Sequence, residues 1–209
     1  MRRGLKLFSE ADEKRIADAI AAVEHKTSGE IVAVVARDCD SYSYVPLMWA
    51  ALLALLVPWV LIFFTWWPVT WVFLAQLLVF FLLWLVLHFA PVRYALVPVP
   101  LKRAHAHRRA VEQFLVQNLH TTQGRTGVLI FVSVAERYAE VLADVGIYQK
   151  VPKEAWQGIV DELTDHIGDA RPAEGFIKAI EATGALLAKH FPPGSHDPNQ
   201  LPNHLIVLS

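Results

Sequence analysis

The sequence predicts an α/β protein: a small mixed sheet covered by helices, interrupted by a two-helix transmembrane hairpin. Three observations predict it. The stretch Val45–Ala90 contains no Asp, Glu, Lys or Arg, and a bilayer span needs ~20 apolar residues, so the stretch holds two spans. Two β-branched runs, Glu30–Ala36 and Gly127–Val134, are apolar nearly throughout, as suits strands buried on both faces. Four further segments place apolar residues at helical spacing.

Taken in order, Ser9 followed by Asp12 reads as a helix N-cap with an acidic first turn. Ile16, Ala19, Ile20 and Val23 then recur at helical spacing, predicting an amphipathic helix over Ser9–Lys26, with Phe8 as a hydrophobic staple at its entry. Ser28-Gly29 breaks it, and the strand Glu30–Ala36 runs into Arg37-Asp38-Cys39-Asp40 and a Ser/Tyr linker. The spans are Pro46–Phe64, kinked at Pro58, and Val69–Ala90, joined by Thr65-Trp66-Trp67-Pro68. Backbone polar groups in lipid must be satisfied internally, so both are helical. Pro91, Pro98 and Pro100 stop the second span and stiffen its exit.

A helix over Leu101–Asn118 follows, with Val111, Phe114 and Leu115 on its buried side. Thr121–Arg125 turns into the strand Gly127–Val134. Ala135-Glu136 then joins it to a hairpin partner, Arg137–Asp144, ended by Gly146. Pro152 opens a helix with Trp156, Ile159, Val160 and Leu163 on one face; Gly168–Pro172 separates it from Ala173–His190, which carries Phe176, Ile177, Ile180, Thr183, Leu186 and Leu187. The tail holds Pro192, Pro193, Pro198 and Pro202, and its short apolar Leu205–Leu208 either pairs as an edge strand or stays loose. The first two strands flank a helical crossover and run parallel, and the third returns antiparallel. The chain thus divides into 1–44, the hairpin 45–90, the rest of the soluble domain 91–190 and a Pro-rich tail 191–209.

Charge sets the orientation. The hairpin turn has no Lys or Arg, whereas Arg37 precedes the spans and Arg93, Lys102, Arg103, Arg108 and Arg109 follow them. Positive residues stay inside, so the expectation is a two-pass inner-membrane protein with both termini and the soluble domain cytoplasmic. Trp66, Trp67 and Trp71 suit the opposite interface. Gln76 and His88 are the only strongly polar side chains in the spans, which argues against a transporter. The polar N-terminus lacks a signal-peptide core, and the lone Cys39 excludes an intramolecular disulfide or a cysteine-rich zinc site. A net charge of −1, with no broad basic surface carrying stacking aromatics, argues against nucleic acid. The run Lys102–Arg109 reads as a juxtamembrane face, and Arg93, Lys102, Arg103, Arg108 and Arg109 are candidates for contact with anionic lipid headgroups. His105 and His107 fall on different helix faces, and His25, His120, His166, His190, His196 and His204 are scattered surface residues. Ser133 lacks a nucleophile elbow, and there is no P-loop or Gly-x-Gly-x-x-Gly. About seven residues join the first strand to the membrane, each reaching at most ~3.6 Å. A cleft bounded by Asp38, Asp40 and Arg93 is therefore expected at the bilayer surface.

The order of Gly-Glu-Ile-Val-Ala-Val-Val (29–35), Thr-Gly-Val-Leu-Ile-Phe-Val-Ser-Val (126–134) and Glu-Arg-Tyr-Ala-Glu-Val-Leu-Ala-Asp-Val-Gly (136–146) resembles the TPM domain family, in the membrane branch whose domain a hairpin splits. The likeness runs from about Leu7 to His190. It implies a TPM-like fold, and it brings the family's associations: acid phosphatase activity in a plant thylakoid member, calcium in some members, and bacterial genes beside LemA-family proteins. Many TPM domains carry Asp-Asn-Gly ahead of the central strand; here Arg125-Thr126-Gly127 stands there. Arg137 matches the family's arginine and Asp144 an acidic position. Asp38, Asp40 and Asp144 are the ligand candidates for calcium, which takes six or more oxygens. The favoured expectation is a non-catalytic membrane-anchored interaction module, with membrane lipids and a LemA-family or second TPM-domain membrane protein as partners and no obligate cofactor. The alternative is a metal-dependent phosphatase acting near the membrane surface.

Overall fold

A computed structural model of the chain describes residues 8–122, 124–193 and 201–208. His196 and Pro198 lie outside the described residues. The chain forms two units, one of residues 1–39 with 105–209 and one of residues 40–104.

In the first unit, α1 (Glu10–Glu24) begins at a reciprocal cap. Ser9 Oγ accepts from the Asp12 backbone N–H, and Asp12 accepts from the Ser9 N–H. Phe8 joins the buried cluster that holds Ile16 and Ile20 of this helix and packs edge-on against Phe176, with ring centroids 5.8 Å apart. β1 (Glu30–Ala36) and β2 (Gly127–Ser133) are buried along their whole lengths and pair in parallel, Glu30 opposite Gly127 and Ala36 opposite Ser133. β3 (Tyr138–Ala143) returns antiparallel on β2, and β4 (Leu205–Leu208) adds to β1 in parallel, giving the order β3-β2-β1-β4. The short apolar run near the C-terminus is therefore an edge strand.

One sheet face carries Ile31, Ala33, Val35, Val128, Ile130 and Val132, covered by α1, α8 (Lys153–Gly168) and α9 (Pro172–His190). Trp156, Ile159 and Leu163 of α8 and Phe176, Ile180 and Leu187 of α9 are buried there, as their spacing predicts. The other face, with Val32, Val34, Leu129 and Phe131, packs against Ala110 and Phe114 of α6 (Val99–Val116). The buried residues of α6 are Ala106, Ala110 and Gln113, while Val111 and Leu115 are 39% and 51% exposed. This corrects the expected face: small alanines let the helix axis approach the sheet, and the larger aliphatic residues point away.

The turn between β2 and β3 is also longer than expected. Val134 and Ala135 donate backbone bonds to Ala36 and Arg37 across the β1 side. They are thus unavailable to β3, and the loop spans Val134–Arg137. After β3, Asp144 caps a single turn, α7 (Val145–Tyr148), so Gly146 lies inside this turn. A Cβ on Gly146 would stand 2.6 Å from the Arg125 carbonyl oxygen, which accounts for the glycine there.

In the second unit, α2 (Tyr44–Ala54) and α3 (Leu56–Phe64) form one apolar run broken at Leu55, and α4 (Val69–Leu87) returns beside it. Pro58 has no N–H for the Ala54 carbonyl, which explains the break. Ala50, Ala54 and Val72 are buried, and small residues of this kind allow close helix approach. The exit is not a stiff extended segment. Pro91 sits in the first turn of a short helix, α5 (Ala90–Leu96), where its missing N–H costs nothing. Tyr42, Val45 and Val97 form a small core with Tyr94, Leu96 and Leu101. That packing makes the unit wider than the uncharged stretch.

Candidate functional site

In open α/β sheets, ligands bind beyond the carboxyl ends of parallel strands, and here β1 and β2 end in register at Ala36 and Ser133. The loop that follows is held by a buried carboxylate. Glu136, 7% exposed, accepts from the Ser133 hydroxyl and, at 3.1 Å, from the Cys39 backbone N–H. The Cys39 thiol donates to Ser133 Oγ at 3.2 Å. Burial pushes this thiol up to about 12; the Glu136 charge adds to the rise and the Ser133 bond opposes it. At neutral pH it is a protonated thiol, and the thiolate is the nucleophilic form. Ser133 is only 1% exposed. The cluster therefore positions the loop.

What the loop presents is Arg137. Its backbone is left-handed, with φ 51°, and the residue lines a cavity of about 480 Å³. Val132, Val134, Ala139 and Ile167 give that cavity apolar walls, with Thr164 and Tyr138 at its edge. On the other sheet face, the Tyr138 hydroxyl donates to Glu140 at 2.9 Å, and His107 Nδ1 lies 2.9 Å from the same carboxylate oxygen. Tyr138 thus both packs and lines the cavity edge.

The remaining candidates are dispersed. Asp38 is exposed just past β1. Asp144 follows β3, and its backbone N–H bonds to the Gly127 carbonyl at the start of β2. β2 runs from that end to Ser133, and a strand rises ~3.3 Å per residue. Asp38 and Asp144 therefore lie at opposite ends of the sheet, and no single ion takes both. This corrects the expected convergence of strand-end carboxylates. Asp40, Arg93, Lys102 and Arg103 belong to the hairpin unit. The Arg93 guanidinium lies 5.2 Å from the centre of the Tyr94 ring, and its Nε is buried without a hydrogen-bond partner among the described residues. Arg109 pairs with Glu112 at 2.8 Å, while Arg108 is exposed.

A scan of protein families matches residues 93–186 to the family described as the TPM domain. That segment contains β2, β3, α8 and most of α9. Residues 93–186 are a TPM domain match. The expected mixed fold, a small sheet covered by helices, is shared with a solved neighbour, the BA42 protein of the psychrophilic bacterium Bizionia argentinensis, determined by NMR: TM-score 0.63, 20% identity, and 99% of each chain covered. At that identity the likeness concerns the fold. No curated protein matches the chain.

At the amino-terminal edge of the sheet stands Arg125. Its Nη1 lies 3.8 Å from Asp144 Oδ2. Asp144 is 5% exposed, and its other oxygen accepts from the Val145 N–H at 2.6 Å. Oδ2 itself is buried with no hydrogen-bond partner among the described residues, so the guanidinium balances its charge only across that gap; no group of three or more His, Cys, Asp or Glu that could hold a metal ion occurs among the described residues. Elsewhere, Glu24 accepts from the Ile31 N–H at 3.1 Å, and burial, assisted by neighbouring Glu30, raises its carboxyl to about 7. Sequence reasoning missed this carboxylate, the Ser133–Glu136–Cys39 cluster and the His107–Glu140 pair. Apart from Glu24 and Glu30, and Ser133 and Glu136, which are close in the chain, these partners are brought together only by the sheet.

Proposed function

We propose that this chain is a membrane-anchored interaction module whose TPM domain acts on the cytoplasmic side, in assembly with another membrane protein. The observation that carries the reading is the surface of the hairpin. Tyr44–Phe64 and Val69–Leu87 have mean hydropathy 2.5 and 2.4, yet only 11% and 6% of the residues in their most apolar windows are buried. A core helix of a water-soluble protein buries such residues; these helices face outward on nearly all sides. An apolar surface of that extent needs lipid or another apolar protein. The basic residues after the second span favour the cytoplasmic side, where Arg93, Lys102, Arg103 and Arg108 would each add about 1 kcal/mol of attraction to anionic lipid. Arg109 contributes less because Glu112 already holds it. The separation of Asp38 from Asp144 along the sheet favours binding over hydrolysis, because the candidate carboxylates do not share one metal. The resemblance names the partner class: a LemA-family or second TPM-domain membrane protein.

Topology tests the anchoring. In a Cys39→Ser background, a membrane-impermeant thiol reagent applied to intact cells is expected to label Thr65→Cys and to spare Lys14→Cys. Labelling of Lys14→Cys, or release of the chain by alkaline carbonate, overturns it. For assembly, cross-linking in membranes is expected to give a discrete adduct that disappears when the hairpin is exchanged for an unrelated one of equal length. A chain that stays monomeric under cross-linking refutes that part.

A further inference from the structure

The cavity beside Arg137 has a chemistry that anchoring does not use. Its volume of about 480 Å³ falls within the ~300–1,000 Å³ typical of small-molecule sites. Its walls are Val132, Val134, Ala139 and Ile167, which favour an aliphatic body. Its one cation is Arg137, and among the described residues no carboxylate forms an ion pair with that side chain. The backbone of Arg137 is left-handed, a conformation that suits Gly or Asn and that disfavours a long side chain. A turn alone does not call for arginine at this position; a use for the guanidinium does. The loop is also fixed in advance, because Glu136 ties it to Ser133 and to the Cys39 backbone, so little ordering remains to be done on binding.

We infer that this cavity binds a small aliphatic carboxylate, its hydrocarbon on the Val132–Val134–Ala139–Ile167 walls and its carboxylate on the Arg137 guanidinium. The planar fork of an arginine matches a carboxylate with two parallel hydrogen bonds. One guanidinium balances one monoanion, whereas a phosphate dianion calls for further cations that the lining residues do not provide. The inference goes beyond the anchoring role and stands without it.

The experiment is calorimetric titration of hexanoate into the full chain in nanodiscs of zwitterionic lipid, with empty discs subtracted and hexanol as the uncharged probe. Hexanoate is expected to bind saturably and hexanol at least about tenfold more weakly, as loss of a charged hydrogen bond implies. Arg137→Gln should weaken hexanoate about tenfold, with Arg137→Lys recovering part of the loss. Thr164→Trp, at an exposed position on the rim, should close the site. Arg137→Gly suits the backbone while deleting the guanidinium; it should lose hexanoate without any fall in melting temperature, separating ligand recognition from folding. The inference is overturned if hexanoate does not saturate, if hexanol binds equally well, or if Arg137→Gly binds hexanoate as the native chain does.

Discussion

Gly184→Ala tests whether the segments before and after the hairpin close into one body, because α1 precedes the hairpin and α9 follows it. A Cβ at Gly184 would stand 2.2 Å from Val23 Cγ1 and 2.8 Å from Cγ2. Val23 is β-branched and stiff at χ1, so it cannot swing aside, and the two helices must separate. Overpacking of this kind costs roughly 1–3 kcal/mol. Alanine in place of a helical glycine returns about 1 kcal/mol of propensity, which leaves a net loss of about 0–2 kcal/mol. Val23→Ala alone removes two methyl groups, worth roughly 1.6 kcal/mol at ~0.8 each. In that background the clash reduces to a 3.0 Å approach to the Val23 Cβ, which a few tenths of an ångström relieve. Gly184→Ala should then be neutral or stabilising. The four proteins form a double-mutant cycle with a coupling of about 1–3 kcal/mol favouring the pair. The assay is thermal unfolding of the full chain in nanodiscs, where 1 kcal/mol moves the midpoint by roughly 2–4 °C for a domain of this size. If the two changes add within about 0.5 kcal/mol, α1 and α9 do not meet at Gly184, and the reasoning about one reunited body fails with it.

Three further outcomes follow from the same structure. Arg137→Gly relieves about 1–2 kcal/mol of left-handed strain and costs about 0.5–1 kcal/mol of glycine entropy; a midpoint raised by a degree or more is expected, and a clear fall contradicts the φ of 51°. Glu24 has its carboxyl raised from 4.5 to about 7, so the folded state holds this proton more tightly than the unfolded chain, and stability falls as pH rises through that window. Glu24→Gln, which keeps an oxygen for the Ile31 N–H, should match the native chain near pH 5 and exceed it near pH 8 by on the order of 1 kcal/mol, a figure discounted for the partial exposure of the group; parallel melting-versus-pH curves would refute this. Leu78→Arg, an outward residue of α4, adds about 2.5–3.5 kcal/mol to the cost of insertion, and alkaline extraction of membranes should release a larger fraction of this variant than of the native chain.

Elements whose signal lies in contiguous residues were readable. β1 and β2 announce themselves by unbroken β-branched runs, α8 and α9 by their spacing, and the hairpin by its lack of charge. The buried face of α6 was not readable, because Ala106 and Ala110 make the contact while the more hydrophobic Val111 and Leu115 draw the eye. The loop Val134–Arg137 was misjudged because Val134 and Ala135 spend their N–H groups on the far side, towards β1, a contact between segments on either side of the hairpin. His107 and Glu140, 33 residues apart, and Cys39 and Ser133, 94 apart, carry no local signature at all. The position of Asp144 is different in kind. Once β3 returns antiparallel along β2, its last residue must stand beside the first residue of β2, so the separation of Asp144 from Asp38 is a consequence of the predicted topology itself.

The two ends of this sheet place their charged groups differently. At the amino-terminal edge the acidic group, Asp144, is buried; one oxygen accepts from the Val145 N–H, while the other has no hydrogen-bond partner among the described residues and stands 3.8 Å from the mostly exposed Arg125 guanidinium. Removing that cation would leave the buried charge with less compensation, which disfavours handing Arg125 to a ligand. At the carboxyl end the order is reversed. The acid, Glu136, is consumed by Ser133 and the Cys39 backbone. The cation next to it in sequence, Arg137, lines the cavity and forms no ion pair with it. On the inference above, the guanidinium beside an apolar cavity is what this end of the sheet offers to an anion, and the titration with hexanoate and hexanol tests it.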